Sequence, residues 1–123
     1  MSGLPMQWNT WGAAGSLWAV TFALKNDDGT AMSIAGKMFE FVIRPSVTDA
    51  TTPPLVKVTP TSGSQGYITI DTVAATVLVV LTPAATTLLG KGARPHALWM
   101  DPGLSTAETL VEGVFNSQLV AAA

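Results

Sequence analysis

Between Trp18 and Leu119 the chain is a succession of short segments with apolar residues at every second position, each closed by Gly, Pro, Asn or Asp. A period of two places alternate side chains on opposite faces of an extended strand, and the punctuating residues are those that turn a chain sharply. Trp18, Val20, Phe22 and Leu24 lie on one face of a first strand, and Asn26-Asp27-Asp28-Gly29 is the turn that ends it. Phe39, Phe41 and Ile43 line a second, with Glu40 and Arg44 opposite and Pro45 as its stop. Met32-Ser33-Ile34 between them is at most a short extended piece. Val56 and Val58 alternate with Lys57 and Thr59 in an edge strand closed by Pro60, after a polar loop over 48–54.

Tyr67 to Asp71 and Thr76 to Leu81 read as paired strands, the second apolar on both faces and therefore central. Pro83 to Gly90, with Pro near its start and Gly at its end, is a single helical turn too short to found a helical layer. Ala97 to Met100 is a further strand, Asp101-Pro102-Gly103 a turn, and Leu110 to Leu119 the last strand, in which Gly113 marks either a bulge or a close backbone approach. The expectation is an all-β fold, an immunoglobulin-like antiparallel β-sandwich of about seven strands with one short helical turn, in preference to a closed barrel. Its boundaries are an amino-terminal arm over 1–14, the sandwich over 15–120 and an Ala-rich tail over 121–123.

At 123 residues the chain suffices for one domain with its own core, and with no Cys it has neither disulfides nor thiolate ligands. Only 11% of residues are charged, against roughly a quarter in average soluble domains. So few charges leave faces that suit coverage by neighbours better than open water. The net charge is −2, and the six Lys and Arg are scattered, which argues against a nucleic-acid partner. Mean hydropathy is +0.40, yet no run approaches the ~20 apolar residues of a membrane helix. The first residues lack the basic start and apolar core of a secretory signal, so the chain is expected in the cytoplasm until it is assembled.

The residues that carry chemistry are sparse. His96 is the single His, and no Gly-x-Ser-x-Gly elbow accompanies it, so no enzyme is expected. Asn26 to Thr30 lacks the alternating ligands and distal Glu of a calcium loop and is a plain hairpin turn. Gly90-Lys91-Gly92 lacks the spacing of a phosphate loop, and neither a cofactor nor a metal is expected. The aromatic residues point elsewhere. Trp18 and Trp99 lie within strand patterns and are core candidates. Trp8 and Trp11, with Met6 beside them, sit in a Gly- and Ala-containing stretch without periodicity. Either that arm folds back over the domain's own core, or it is an interface anchor with Met6, Trp8 and Trp11 as contact residues.

The order of these motifs resembles the immunoglobulin-like amino-terminal domain of baseplate and tail-fibre adaptor proteins, small virion proteins of tailed bacteriophages. The resemblance is carried by Gly15-Ser16-Leu17-Trp18, Leu24 to Thr30, Phe41-Val42-Ile43-Arg44-Pro45, Gly66 to Ile70, Pro83 to Gly90, Ala97 to Asp101 and Leu110 to Val114. It covers about residues 15–115. Arg94-Pro95-His96 departs from it, being polar where such domains commonly carry an aromatic strand, and no long fibre or receptor-binding extension follows. The resemblance implies a stand-alone virion structural protein, a tail, baseplate or neck adaptor whose partners are copies of itself and other virion proteins. The alternatives are a capsid decoration protein and a carbohydrate-binding sandwich that stacks sugars on exposed Trp and Tyr67.

Overall fold

Period-two alternation becomes two packed sheets in the computed structural model, which describes residues 6–26, 28–46 and 53–120. Among these residues the strands are β1 (Met6–Gln7), β2 (Thr10–Ala13), β3 (Trp18–Ala23), β4 (Phe39–Ile43), β5 (Val56–Val58), β6 (Gly66–Asp71), β7 (Thr76–Leu81), β8 (Gly92–Met100) and β9 (Glu108–Gln118), with a helix α1 (Pro83–Leu89) between β7 and β8. The smaller sheet has the order β3-β7-β6, and β7, apolar on both faces, is its centre. The larger sheet runs β9-β8-β4-β5, with β1 and β2 both added to the free edge of β9. Every pairing is antiparallel except those of β1 and β2, which run parallel to β9.

The chain alternates between sheets as it proceeds: β3 in the smaller, β4 and β5 in the larger, β6 and β7 in the smaller, β8 and β9 in the larger. This is the connectivity of an immunoglobulin-type sandwich. Phe39, Phe41 and Ile43 from β4 meet Val77, Val79 and Leu81 from β7 in the core, all essentially without solvent exposure. Rings from both sheets interlock there. Trp18 of β3 stacks on Phe41 of β4 at 6.0 Å and meets Phe115 of β9 edge-on at 5.1 Å. Such aromatic contacts add roughly 0.5–1.5 kcal/mol each beyond the area they bury.

Turn chemistry follows the residues that specify it. The Asp28 carboxylate accepts from the Thr30 amide at 3.0 Å and from its hydroxyl at 2.6 Å, and these bonds hold its pKa below the usual carboxylate value. Asp27 and the loop residues 47–52 lie outside the described residues. Met32 and Ile34 form no extended strand but are buried, so their alternation reports core contact without a ladder. Asp101 takes a left-handed conformation (φ 51°) and receives the Met38 N–H on its carboxylate at 3.1 Å, the main reason its pKa is lowered; Lys37 lies at 3.4 Å.

Two expectations for β8 are corrected. The strand begins at Gly92 and not Ala97, so Arg94-Pro95-His96 lies within it. Proline in a central strand normally removes a ladder bond. Here the Pro95 carbonyl accepts from the Arg44 amide, one residue past the end of β4. The Pro95 nitrogen points to that same side, so the donor that proline lacks falls opposite Arg44, just past the end of β4 and outside its ladder. Trp99 is not a core residue either. Ala97-Leu98-Trp99-Met100 is apolar throughout and carries no phase of its own; pairing of Leu98 with Phe41 and of Met100 with Phe39 turns those residues inward and leaves Trp99 on the outer face, half-buried.

The helix is capped as its sequence prescribes, with Thr82 accepting from the Ala85 amide and Pro83 in the first turn. Its buried Thr86 ties it to the turn after β2: the hydroxyl accepts from the Gly15 amide at 3.1 Å and donates to the Ser16 carbonyl at 2.8 Å. Replacing Thr86 by Val keeps the shape and strands both backbone groups. Denaturant unfolding of Thr86→Val should therefore show a loss of about 1–3 kcal/mol, and a loss under about 0.5 kcal/mol would mean that the hydroxyl does not hold the turn.

Candidate docking surface

The segment expected as an arm is, from residue 6 onward, an edge strand of the sandwich. Met6 and Gln7 pair with Val111 and Glu112, and Thr10 to Ala13 pair with Phe115 to Gln118. Between the two runs the strand breaks at Trp8-Asn9, and three polar groups of the break find partners. The Trp8 amide donates to the Glu112 carbonyl at 2.9 Å, and the Asn9 side chain accepts the Val114 amide at 3.0 Å in place of a backbone oxygen. The Trp8 carbonyl turns inward and meets His96 Nε2 at 2.8 Å.

Gly113 makes that approach possible. A Cβ at this position would lie 1.9 Å from the Trp8 oxygen, so the residue marks a close approach; the bulge of the β8–β9 ladder falls instead between Leu98 and Trp99. Gly12 is similarly required, since a Cβ there would meet the Phe115 ring at 2.4 Å. The Trp8 indole lies on the core side, in phase with buried Thr10, 5.2 Å from Phe22 and 5.7 Å from His96, both edge-on, and 6.2 Å from Trp18.

The three candidate contact residues are thus separated by their surroundings. Trp8 packs against the core. Trp11, opposite Asn116 on the outer face, is 66% exposed, and Met6 at the start of the strand is 48% exposed. Trp11 also has company that the sequence did not single out: Leu17 (64%), Leu88 (53%), Leu119 (65%) and Val120 (58%). Leu17 closes the β2–β3 turn, which Thr86 joins to α1, the helix that carries Leu88. Leu119 and Val120 follow β9 where Ala14 bonds the Gln118 carbonyl. These residues therefore share one end of the sandwich and form an apolar rim. For Leu17 a signal existed, because it is out of phase with Trp18, Val20, Phe22 and Leu24; for Leu88 and Leu119 the exposure depends on where α1 and β9 end.

The outer faces differ in charge. On the smaller sheet the outward rows are Ala19-Val80-Tyr67, Thr21-Leu78-Thr69 and Ala23-Thr76-Asp71, with a single charged residue at one corner. The larger sheet carries Glu40, Arg44, Lys57 and Glu112 outward, with Lys57 and Glu40 paired at 3.5 Å. Trp99, Val42, Arg44 and Glu40 border a shallow recess of about 220 Å³ there.

His96 is 3% exposed, and burial is the main influence on its pKa, which lies below the ordinary 6.5. Arg94 is likewise committed, donating to the carbonyls of Leu89, Pro45 and Lys91. Among the described residues no group of three or more His, Asp or Glu is placed to share a metal ion, and no helix is long and apolar enough to cross a membrane. No protein-family model matches the chain, and no curated protein matches it either.

Because Trp8 and Gly113 meet in one contact, their substitutions should couple. Trp8→Ala and Gly113→Ala should each cost about 2–4 kcal/mol in denaturant unfolding, with the double variant at least about 1 kcal/mol more stable than the sum predicts. Strict additivity would show that the indole and the close approach act independently.

Proposed function

We propose that this chain is a structural protein of a tailed-bacteriophage particle, an adaptor of the tail, baseplate or neck that docks on copies of itself and on other virion proteins. The observation that carries the docking role is the apolar rim of Trp11, Leu17, Leu88, Leu119 and Val120, held on well-packed elements at one end of the sandwich. An exposed Trp held on a strand at the same end of the sandwich as exposed aliphatic side chains has the composition of an interface, where ordering on binding costs little. The nearly uncharged outer face of the smaller sheet supplies a second surface on the other side of the module from Trp11. The phage context rests on the order of sequence motifs across about residues 15–115, to which the sandwich connectivity is suited.

Residues of the rim can be changed without touching the core. Trp11→Ala combined with Leu119→Ser should leave unfolding stability within about 0.5 kcal/mol of the parent and yet reduce incorporation of the chain into phage particles at least tenfold, on the order of 1.4 kcal/mol of interface energy. Quantitative mass spectrometry of purified particles reads both the loss and the copy number, few for a tail or neck adaptor and many for a capsid decoration protein. Complete and infectious particles that lack the chain would overturn the reading. Specific glycan binding abolished by Trp11→Ala would replace it with a carbohydrate-binding role.

A further inference from the structure

We propose that His96 is a proton-sensitive latch on the amino-terminal strand: uptake of a proton by its ring frees Met6–Ala13 from β9, uncovering the Trp8 indole and the pairing edge of β9. The inference is independent of the docking role, because each of its readouts is a property of the purified chain.

The geometry fixes the protonation state. Nε2 faces the Trp8 carbonyl at 2.8 Å, an acceptor only, so this nitrogen carries the hydrogen. Nδ1 is then the unprotonated nitrogen, and it is buried with no hydrogen-bond partner. A second proton would sit on Nδ1 and create both a charge and an unsatisfied N–H. The ring is enclosed by Trp8 edge-on at 5.7 Å and by Phe41 at 5.5 Å, neither of which can accept that hydrogen in the manner of a carbonyl. Burying an ion or a donor without a partner is costly, and the chain relieves the cost by admitting water.

The charged groups around the ring do not remove that penalty. On β9, Glu112 favours the charged form, but it lies beside Gly113 with its carboxylate accepting from Gln7 at 2.7 Å. The ring contacts supplied by β4 and by the strand break are Phe41 and Trp8, which do not ionise. On β8 itself, Arg94 is spent on three carbonyls. The pKa of His96 accordingly lies below 6.5, with burial the largest cause.

The sign follows from proton linkage. The state with the strand released binds a proton more readily than the closed state, so closure is fully favoured above about pH 6.5 and weakens as pH falls below it. Phe41 and β9 cannot leave the ring without dismantling the sandwich. The short β1 and β2 lie at the sheet's edge and are attached on one side only. They are the part of the cover that can open locally.

Three amides report the latch, because each is bonded across it: Trp8 to Glu112, Ala14 to Gln118, and Val114 to Asn9. Hydrogen-exchange protection factors at these amides should fall at least about tenfold between about pH 7.5 and about pH 5, while those of the β6–β7 hairpin change less than about twofold. His96→Gln, which keeps a donor for the Trp8 carbonyl and does not titrate, should abolish the pH dependence. Nuclear magnetic resonance titration of His96 in the parent protein gives a test that needs no variant: its midpoint should lie below about 6.5 and coincide with the shift change of the Trp8 amide. A midpoint at or above the ordinary value, or loss of the hairpin's protection together with that of the three amides, would overturn the latch. So would a pH dependence that survives in His96→Gln.

Discussion

The contact between the Trp8 carbonyl and the groups beneath it sets how the sandwich is closed. The larger sheet would otherwise end in β9 with an unpaired edge, and β-sheet edges invite association unless they are covered. The parallel strand that covers it keeps one register through Met6–Gln7 and Thr10–Ala13 and is interrupted between them, where the Trp8 carbonyl leaves the ladder for His96. The break is accommodated by three residue choices in combination: Gly113, which leaves room; Asn9, whose side chain stands in for a backbone acceptor; and His96, which satisfies the inward carbonyl. With the carbonyl satisfied, the indole of Trp8 reaches Phe22 and Trp18 and links the edge strand to the smaller sheet.

Where local chemistry decides an element, the element was legible in the sequence. Period two in Trp18 to Leu24 and Phe39 to Ile43, the turn signalled by Asn26, Asp28 and Gly29, and the Pro and Gly at the two ends of α1 are all local, and each is found where the pattern places it. Where a partner strand decides, the pattern was silent. Arg94-Pro95-His96 looks unlike a strand until β4 is seen to end beside Pro95. Trp99 looks like core until its neighbours' pairing assigns the inward face. Trp8 and Trp11, three residues apart in an aperiodic stretch, gave two readings, and the parallel register on β9 gives each residue its own: Trp8 packs inward and Trp11 faces solvent. The rim was the least legible part, because it is assembled from the ends of four separate elements.

Scarcity of charge also takes on a more definite form. It is not spread evenly, since the larger sheet keeps Glu40, Arg44, Lys57 and Glu112 on its outer face while the smaller sheet shows only Asp71. Several of the remaining polar groups are turned to internal use, as with Asp101 under Met38 and Arg94 across three carbonyls. The charge that a small domain normally spends on solubility is here partly spent on fixing loops, which leaves the apolar rim and the smaller sheet's outer face without local compensation.

Under the proposed docking role, the segment Met6–Ala13 does two jobs that oppose each other under mutation. Trp8 favours a strand bound tightly to its own domain, whereas Trp11 faces outward, on the side that the proposed docking would use. A truncation that removes both would lower stability and association together and could not tell one from the other. Separating them relies on the strand's alternation: substitutions at Trp11 act on the outer face without entering the aromatic cluster, and those at Trp8, Gly113 or His96 act on the closure without altering the exposed rim. The physical basis of that separation is the unbroken register on β9: Met6–Gln7 and Thr10–Ala13 keep one phase across the interruption at Trp8-Asn9, so residues 8 and 11 fall on opposite faces, the inner one serving the fold and the outer one left to the proposed docking.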